Sequence, residues 1–426
     1  MPIQFPIGKP LKPRVAARIV ALLLVALPPV LSGADALDLA IASEQIIQPG
    51  GLQPFLFQMA KGTLVFQAQL PFPAGYVQPE KNAYPGFPGS MRSTDFGRTW
   101  AVWTPAKEQG AGPIHEGNVA QLRDGTTLLV EWIADGPRPD GHFIGRVWES
   151  RDDWQTITGP IESKLYLPQA KSGFDDGGKP YGGVNFHRTL LELPDGDLLA
   201  TAYGWFKEDL TPSAYMPTMM KFRSILLRSR DRGRNWSLVN TIAVDPAVGE
   251  EGFCEPVLVR LTQGRHQGRL IVHLRTGSNK MRTEPRHNFI HQTESDDEGK
   301  TWTRPHPLEF QGVDPDLIEM GNGILVAGFG WRTSESVRKP TDPRLPGGEK
   351  PSVGRLIGPK HGNYVAFSHD QGATWTQITQ VTRELTTSYV SVREVQPGRL
   401  LLVYDKYWWD HKDRAIAARF IDVKLR

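Results

Sequence analysis

The sequence predicts an all-β chain, a six-bladed β-propeller of four-stranded antiparallel blades. Three observations predict it. A turn motif, Ser-x-Asp-x-Gly-x-(Thr/Asn)-Trp, recurs along the 426 residues. Glycine-containing hairpin turns recur independently of it, roughly 55 to 75 residues apart, a period that suits a four-stranded unit with its loops. Helical periodicity is nearly absent, and radial closure lets many short strands leave no exposed edge.

The first residues are a separate element. Lys9, Lys12, Arg14 and Arg18 precede an apolar run from Ile19 to Leu31, and Ala34-Asp35-Ala36 fits a small-x-small cleavage site. The run is too short for a membrane span. Residues 1–36 therefore read as a cleaved signal peptide, and the mature chain as secreted or periplasmic. The four basic residues and Asp35 together account for the net charge of +3, so residues 37–426 are near neutral. A neutral chain lacks the basic excess that nucleic acid requires. The chain has 1 cysteine, which excludes an internal disulfide framework and any cysteine-based zinc or iron–sulfur site. No cofactor or metal is expected.

Intact copies of the turn motif begin at Ser93, Ser229, Ser295 and Ser368 and end at Trp100, Trp236, Trp302 and Trp375. Ser150-Arg151-Asp152-Asp153-Trp154 reads as a decayed fifth. The aspartate accepts backbone N–H groups within the turn. Glycine supplies the positive φ, and tryptophan anchors the returning strand. These residues belong to the fold rather than to chemistry.

The hairpin turns are Lys61-Gly62, Asp124-Gly125, Asp195-Gly196, Gln267-Gly268, Asn322-Gly323 and Pro397-Gly398. Each sits between two apolar runs, as a tight hairpin requires. If each turn joins the first and second strands of a blade, the repeated motif joins the third and fourth. First-strand starts, second-strand ends and second-to-third loops then share the opposite face. That face collects Gln53, His115, Glu116, Asn118, Asn185, His187, Arg188, Glu255, Arg275, Asp314, Asp316, Arg332, Tyr389, Asp405 and Lys406. Asp314 and Asp316 flank Pro315 at a spacing that puts both on one strand face; they suit an acid/base pair, a calcium site or a turn. Trp408, within Tyr407-Trp408-Trp409, is a candidate sugar-stacking platform or a cap on the core. Cys254 reads as a small buried thiol. Long insertions at 204–221 and 333–360 should overhang this face.

Together, the repeated boxes and hairpins resemble the sialidase (neuraminidase) superfamily, with its Asp-box or BNR repeats on a six-bladed propeller. The resemblance implies a glycoside hydrolase acting on a glycan or glycoconjugate. In Gly252-Phe253-Cys254-Glu255-Pro256, Glu255 resembles the glutamate beside the family's nucleophile. Thr387-Ser388-Tyr389 resembles the segment of the nucleophilic tyrosine, and Arg275 resembles one arginine of the family's triad. A tyrosine nucleophile avoids the repulsion that a carboxylate would meet at an anionic sugar, and it needs a neighbouring base such as Glu255. The resemblance has gaps. The family's Arg-Ile-Pro opening is here Leu52-Gln53-Pro54, the third arginine's place reads Val313-Asp314-Pro315-Asp316, and Glu80 is the lone carboxylate between Leu70 and Ser93. The remaining candidates for substrate contact are Arg188, His187, Gln53, His115, Glu116, Arg332 and Trp408, beside Arg275. With the clamp incomplete, the sugar need not be sialic acid. The alternative is a non-catalytic propeller that binds glycan or protein.

Overall fold

A computed structural model describes residues 37–71, 87–109, 112–113, 117–131, 133–174, 180–181, 184–214, 219–277, 289–331, 361–407 and 411–426. Of the expected site residues, His115, Glu116, Arg332 and Trp408 lie outside them, as do residues 1–36 and the whole 333–360 insertion. Among the described residues the chain is strand, apart from one helical turn at Lys107–Gln109. None of their helices is long and apolar enough to cross a membrane.

Apolar runs alternate with glycine turns, so each run pairs with the next. One sheet is Leu52–Gln58, Leu64–Leu70, Phe87–Ser93 and Ala101–Trp103, in that order. Another runs Cys254–Arg260, Leu270–Arg275, Phe289–Ser295 and His306–Gln311; a third runs Val313–Glu319, Leu325–Trp331, Gly362–Ser368 and Thr376–Gln380. Between the first and second of these, Asn118–Gln121, Thr127–Val130, His142–Ser150 and Thr158–Tyr166 form one antiparallel run. Val184–Glu192, Leu198–Gly204, Arg223–Ser229 and Asn235–Ala243 form the next. These two runs are not separate sheets. Their fourth strands pair in parallel, Leu165 opposite Trp236, and Val119 pairs with Thr189 between their first strands.

The last sheet joins both ends of the chain. Val390–Gln396, Arg399–Lys406 and Ala415–Leu425 are its inner strands, and Leu37–Ile41 and Gln45–Pro49 pair onto Ala415–Leu425 from outside. Leu37 lies opposite Leu425.

The core sits between sheets. Each cluster takes side chains from two consecutive strand runs: Phe57 and Val65 meet Leu129 and Trp148, Leu199 and Leu226 meet Leu258 and Leu270, and Val326 meets Val392 and Leu402. One cluster joins Leu56 and Phe66 to Leu401 and Ile416, packing the last sheet on the first. From Asn118–Gln121 onward the first strands of successive runs also pack side by side, and Val390–Gln396 lies against Leu52–Gln58. The sheets therefore close into a ring lined by their first strands.

The turns divide the two ends of this ring. Each glycine hairpin turn joins first and second strands, and each Ser-x-Asp turn joins third and fourth. In the Ser295 copy the serine hydroxyl donates to Asp297 (2.8 Å) and accepts from Gly299 N, while Asp297 accepts from Thr301 N and Oγ1 (2.9 and 2.7 Å). Those bonds hold the Asp297 carboxyl down at about 2, the Thr301 hydroxyl contributing most. The copy that reads as decayed keeps the hydrogen-bond frame of the others. Ser150 donates to Asp152 (2.9 Å), which accepts from Thr156 N and Oγ1. Trp154 occupies the glycine position at φ 61°, and its indole is buried against Phe57. The anchoring position falls to Ile157, which is buried.

Candidate active site

The end of the ring opposite the turns is built from one repeated backbone device. Gln53, Arg188, Glu255, Asp314 and Ser388 all have positive φ, between 45° and 74°. None is glycine, so each carries strain of roughly 1 kcal/mol or more. Gln53, Glu255 and Asp314 precede a proline. The ladder slips at the same place, between Leu52 and Phe55, Phe186 and Leu190, Cys254 and Val257, and Val313 and Asp316. A bulge re-aims a side chain that a regular strand would direct elsewhere, and here it brings polar side chains from different strands together.

Tyr389 O–H donates to Glu255 Oε1 at 3.4 Å. Arg275 Nη1 donates to that same Glu255 oxygen, its Nη2 pairs with Glu251 Oε2 at 2.9 Å, and its Nε donates to Gly277 O at 3.0 Å. Burial alone would weaken the Arg275 charge, but Glu251 and then Glu255 hold the guanidinium well above its ordinary value. Tyr389 is half-buried, whereas Glu255, Arg275 and Glu251 are buried. Cys254 Sγ lies 3.8 Å from Glu251 Oε2, and burial followed by the Glu251 charge pushes the thiol far up. It is an inert packing group.

Beside this group Arg188 reaches both oxygens of Asp314 and donates to Ser391 Oγ at 2.9 Å. Its Nη1 is also 3.6 Å from Asp316. Val390 N donates to Asp314 and Val392 N to Asp316, so both carboxylates face the neighbouring first strand. Arg393 completes the Asp316 pair at 2.6 Å. Burial raises both aspartates. Asp314 stays raised despite Arg188, whereas Arg393 and then Arg188 bring Asp316 below its ordinary value.

His187 is fully buried, with Nδ1 3.3 Å from Pro256 O and Nε2 3.6 Å from Asp314 Oδ1. Among the described residues, His187, Glu255 and Asp314 could share a metal, their ligand atoms lying within 4.8 Å of one another. Both carboxylates already face guanidinium groups, so a cation would have to share them.

The remaining candidates sit apart. Gln53 N donates to Asp405 at 2.9 Å, and the Gln53 side chain accepts from Gln69. Asp405 is buried among Thr386 and Thr387 donors. Asn118 Nδ2 donates to Thr201 O at 2.9 Å. Lys406 turns away to Glu44, at 2.5 Å. Glu251 was not singled out from the sequence; its signal was the acidic pair Glu250-Glu251 just ahead of Glu255. The 204–221 insertion is strapped to this same segment: Ser213 Oγ donates to Glu250 O (3.1 Å), Ala214 N to the same oxygen (2.9 Å) and Phe222 N to Glu251 O (2.7 Å).

No family model matches the sequence, and no curated protein matches it. Solved structures do match. A protein of unknown function from Dyadobacter fermentans aligns with a TM-score of 0.63 at 18% identity, covering 91% of this chain and 99% of that one. A Hadza microbial sialidase aligns at 0.57 and 14%, over 87% of this chain and 65% of its own. The GH93 α-L-arabinofuranosidase of Fusarium graminearum, solved with arabinobiose, aligns at 0.56 and 13%, over 89% of this chain and 97% of its own. The chain therefore has the propeller fold that sialidases and GH93 arabinofuranosidases share, at identities that establish fold alone.

Proposed function

We propose that the chain is an exported glycoside hydrolase on a six-bladed sialidase-like propeller, acting on a glycan at the end of the ring that carries Tyr389. The six blades are the three separate four-stranded sheets, the two joined runs and the sheet closed by the N-terminal strands. One observation carries the enzymatic reading: the Tyr389 hydroxyl donates to a buried Glu255 carboxylate that Arg275 holds in place. A binding scaffold has no use for a tyrosine set against a buried base; a nucleophile does.

In this reading Tyr389 Oη attacks the anomeric carbon while its proton passes to Glu255 Oε1. The leaving group departs with a proton from a general acid. Water, giving its proton to that same acid group, then cleaves the tyrosyl–sugar bond, and Glu255 returns the first proton to Tyr389. Arg275 acts through Glu255 as a positioning residue, since its donors face Glu251, Glu255 and Gly277 O. Asp314, Asp316 and Arg188 form the charged floor, where His187 orders Asp314. Fold neighbours that are hydrolases support the reaction class. The basic, apolar and small-residue pattern of residues 1–36 supports export.

The test is a panel of aryl glycosides, including sialosides, assayed with residues 37–426 and with Tyr389→Phe. Turnover of at least one glycoside, lost about 10³-fold or more in Tyr389→Phe with the fold intact, is the expected result. Equal activity in the variant would end the tyrosine mechanism.

A further inference from the structure

The sugar that this site accepts is open in the reading above, and the charges around Tyr389 narrow it. We propose that the site takes a glycoside whose glycone is uncharged, and that it discriminates against carboxylated sugars, uronic and sialic alike. This rests on the glycosidase reading and adds the substrate class to it.

The argument begins with the guanidinium groups. A carboxylated glycone is normally held by a two-pronged contact from arginine. Among the described residues around Tyr389 the arginines are Arg275, Arg188 and Arg393, and each is turned to acceptors of the protein itself. Arg275 gives Nε to Gly277 O, Nη1 to Glu255 and Nη2 to Glu251. Arg188 gives Nε and Nη2 to Asp314 and Nη1 to Ser391. Arg393 gives Nη1 to Asp316. A substrate carboxylate approaching these arginines would compete with buried carboxylates for the same guanidinium groups.

Charge points the same way. Glu251, Glu255, Asp314 and Asp316 outnumber these guanidinium groups. An anionic glycone would approach buried carboxylates of its own sign, in surroundings where Coulomb terms exceed those in water. A neutral glycone meets no such barrier, and its hydroxyls can bond to the same carboxylates.

Tyrosine remains the accessible nucleophile for a neutral sugar. Tyr389 is half-buried, whereas Glu255 is 5% and Asp314 0% exposed.

Matched substrates isolate the charge. Aryl galactoside against aryl galacturonide, and glucoside against glucuronide, differ at C5 in a hydroxymethyl or a carboxylate group. Aryl arabinofuranoside, xyloside and sialoside complete the set, each assayed with the wild type and with Tyr389→Phe. We expect a neutral member to be hydrolysed at least about 100-fold better in kcat/KM than any carboxylated one. Turnover of a carboxylated member should rise with added salt, while that of the neutral members stays flat. A uronide or sialoside cleaved as well as the best neutral glycoside overturns the proposal and leaves the hydrolase reading standing. If no glycoside is cleaved, the hydrolase reading fails and the proposal passes to binding. Saturation-transfer NMR with the methyl glycosides of the same pairs is then the measurement. Binding of a neutral member in preference supports the proposal; binding of the carboxylated members, or of none, overturns it.

Discussion

At Asp316 one side chain holds four partners: Arg393, Arg188 and the Val392 and Leu317 amides. Replacing it by asparagine keeps the shape and removes the charge, leaving the partly buried Arg393 short of a counterion and the buried Arg188 with Asp314 alone. Loss of one member of a buried pair costs about 3 kcal/mol or more. Asp316→Asn should therefore lower the urea midpoint clearly, while Tyr389→Phe, which removes one partly exposed hydroxyl, should leave it nearly unchanged. If both variants unfold alike, the division between floor and nucleophile is wrong. His273 supplies a second test. It is buried beside Trp375, its Nε2 is 3.1 Å from Gln292 Oε1, and desolvation lowers it to about 3. The folded state thus refuses a proton that the unfolded chain binds near pH 6.5. Its contribution is complete above that value and is lost at about 1.4 kcal/mol per pH unit as pH falls toward 3. Chemical denaturation at stepped pH should show this slope, and His273→Gln should flatten it.

Residue chemistry was only partly legible in the sequence. Glu255, Arg275 and Tyr389 were chosen from strand order and from the family resemblance, and the fold brings them together. Glu251 was missed because its importance lies in a contact across a bulge. Likewise, a sequence cannot show that Arg188 and Arg275 face the protein's own carboxylates, since pairing depends on which first strands are neighbours.

Among the elements, the Ser-x-Asp turn is the unit most open to test. Asp297 ties a hydroxyl and backbone amides together while ionised. Because its folded pKa is depressed to about 2, its contribution is present above the usual carboxylate range and lost as pH falls through about 2. Asp297→Asn should lower the melting temperature at pH 7, and the gap to wild type should narrow between about pH 4 and pH 2. A gap independent of pH would assign the turn's stability to shape alone. The Ser150 copy shows why pattern reading stops short. Its hydrogen bonds match the others, but a tryptophan stands where glycine is usual, at φ 61°. The packing of that indole on Phe57 offsets the backbone strain, and no local rule announces such packing.

For the whole molecule, ring closure is a property of distant residues. Repeats and turn spacing made the all-β architecture readable. The parallel seam between Leu165 and Trp236 was not, because strand pairing between consecutive units leaves no periodic mark in either. Residues 37–49 should matter out of proportion to their length. They cover the outer edge of Ala415–Leu425, and Leu37 packs with Val390, Tyr404 and Val423. A chain beginning at residue 50 should melt many degrees lower and aggregate through the uncovered strand; scattering during a thermal ramp would register it, and an unaltered ramp would refute it.

The pairing of Leu37 with Leu425 also sets an order in time. A ribosome makes the first of these residues hundreds of peptide bonds before the second. Until the final strand emerges, the opening segment has no partner, and the earlier sheets must wait as an open arc with two bare flanks. Completion is thus a single late event that waits for residues 415–425, and long-range pairing of this kind is slow. A chain stopped a dozen residues early would lose its last strand and, with it, the attachment of its first. Such a product should behave as an unclosed arc, easily cleaved by protease, however well its middle sheets have formed.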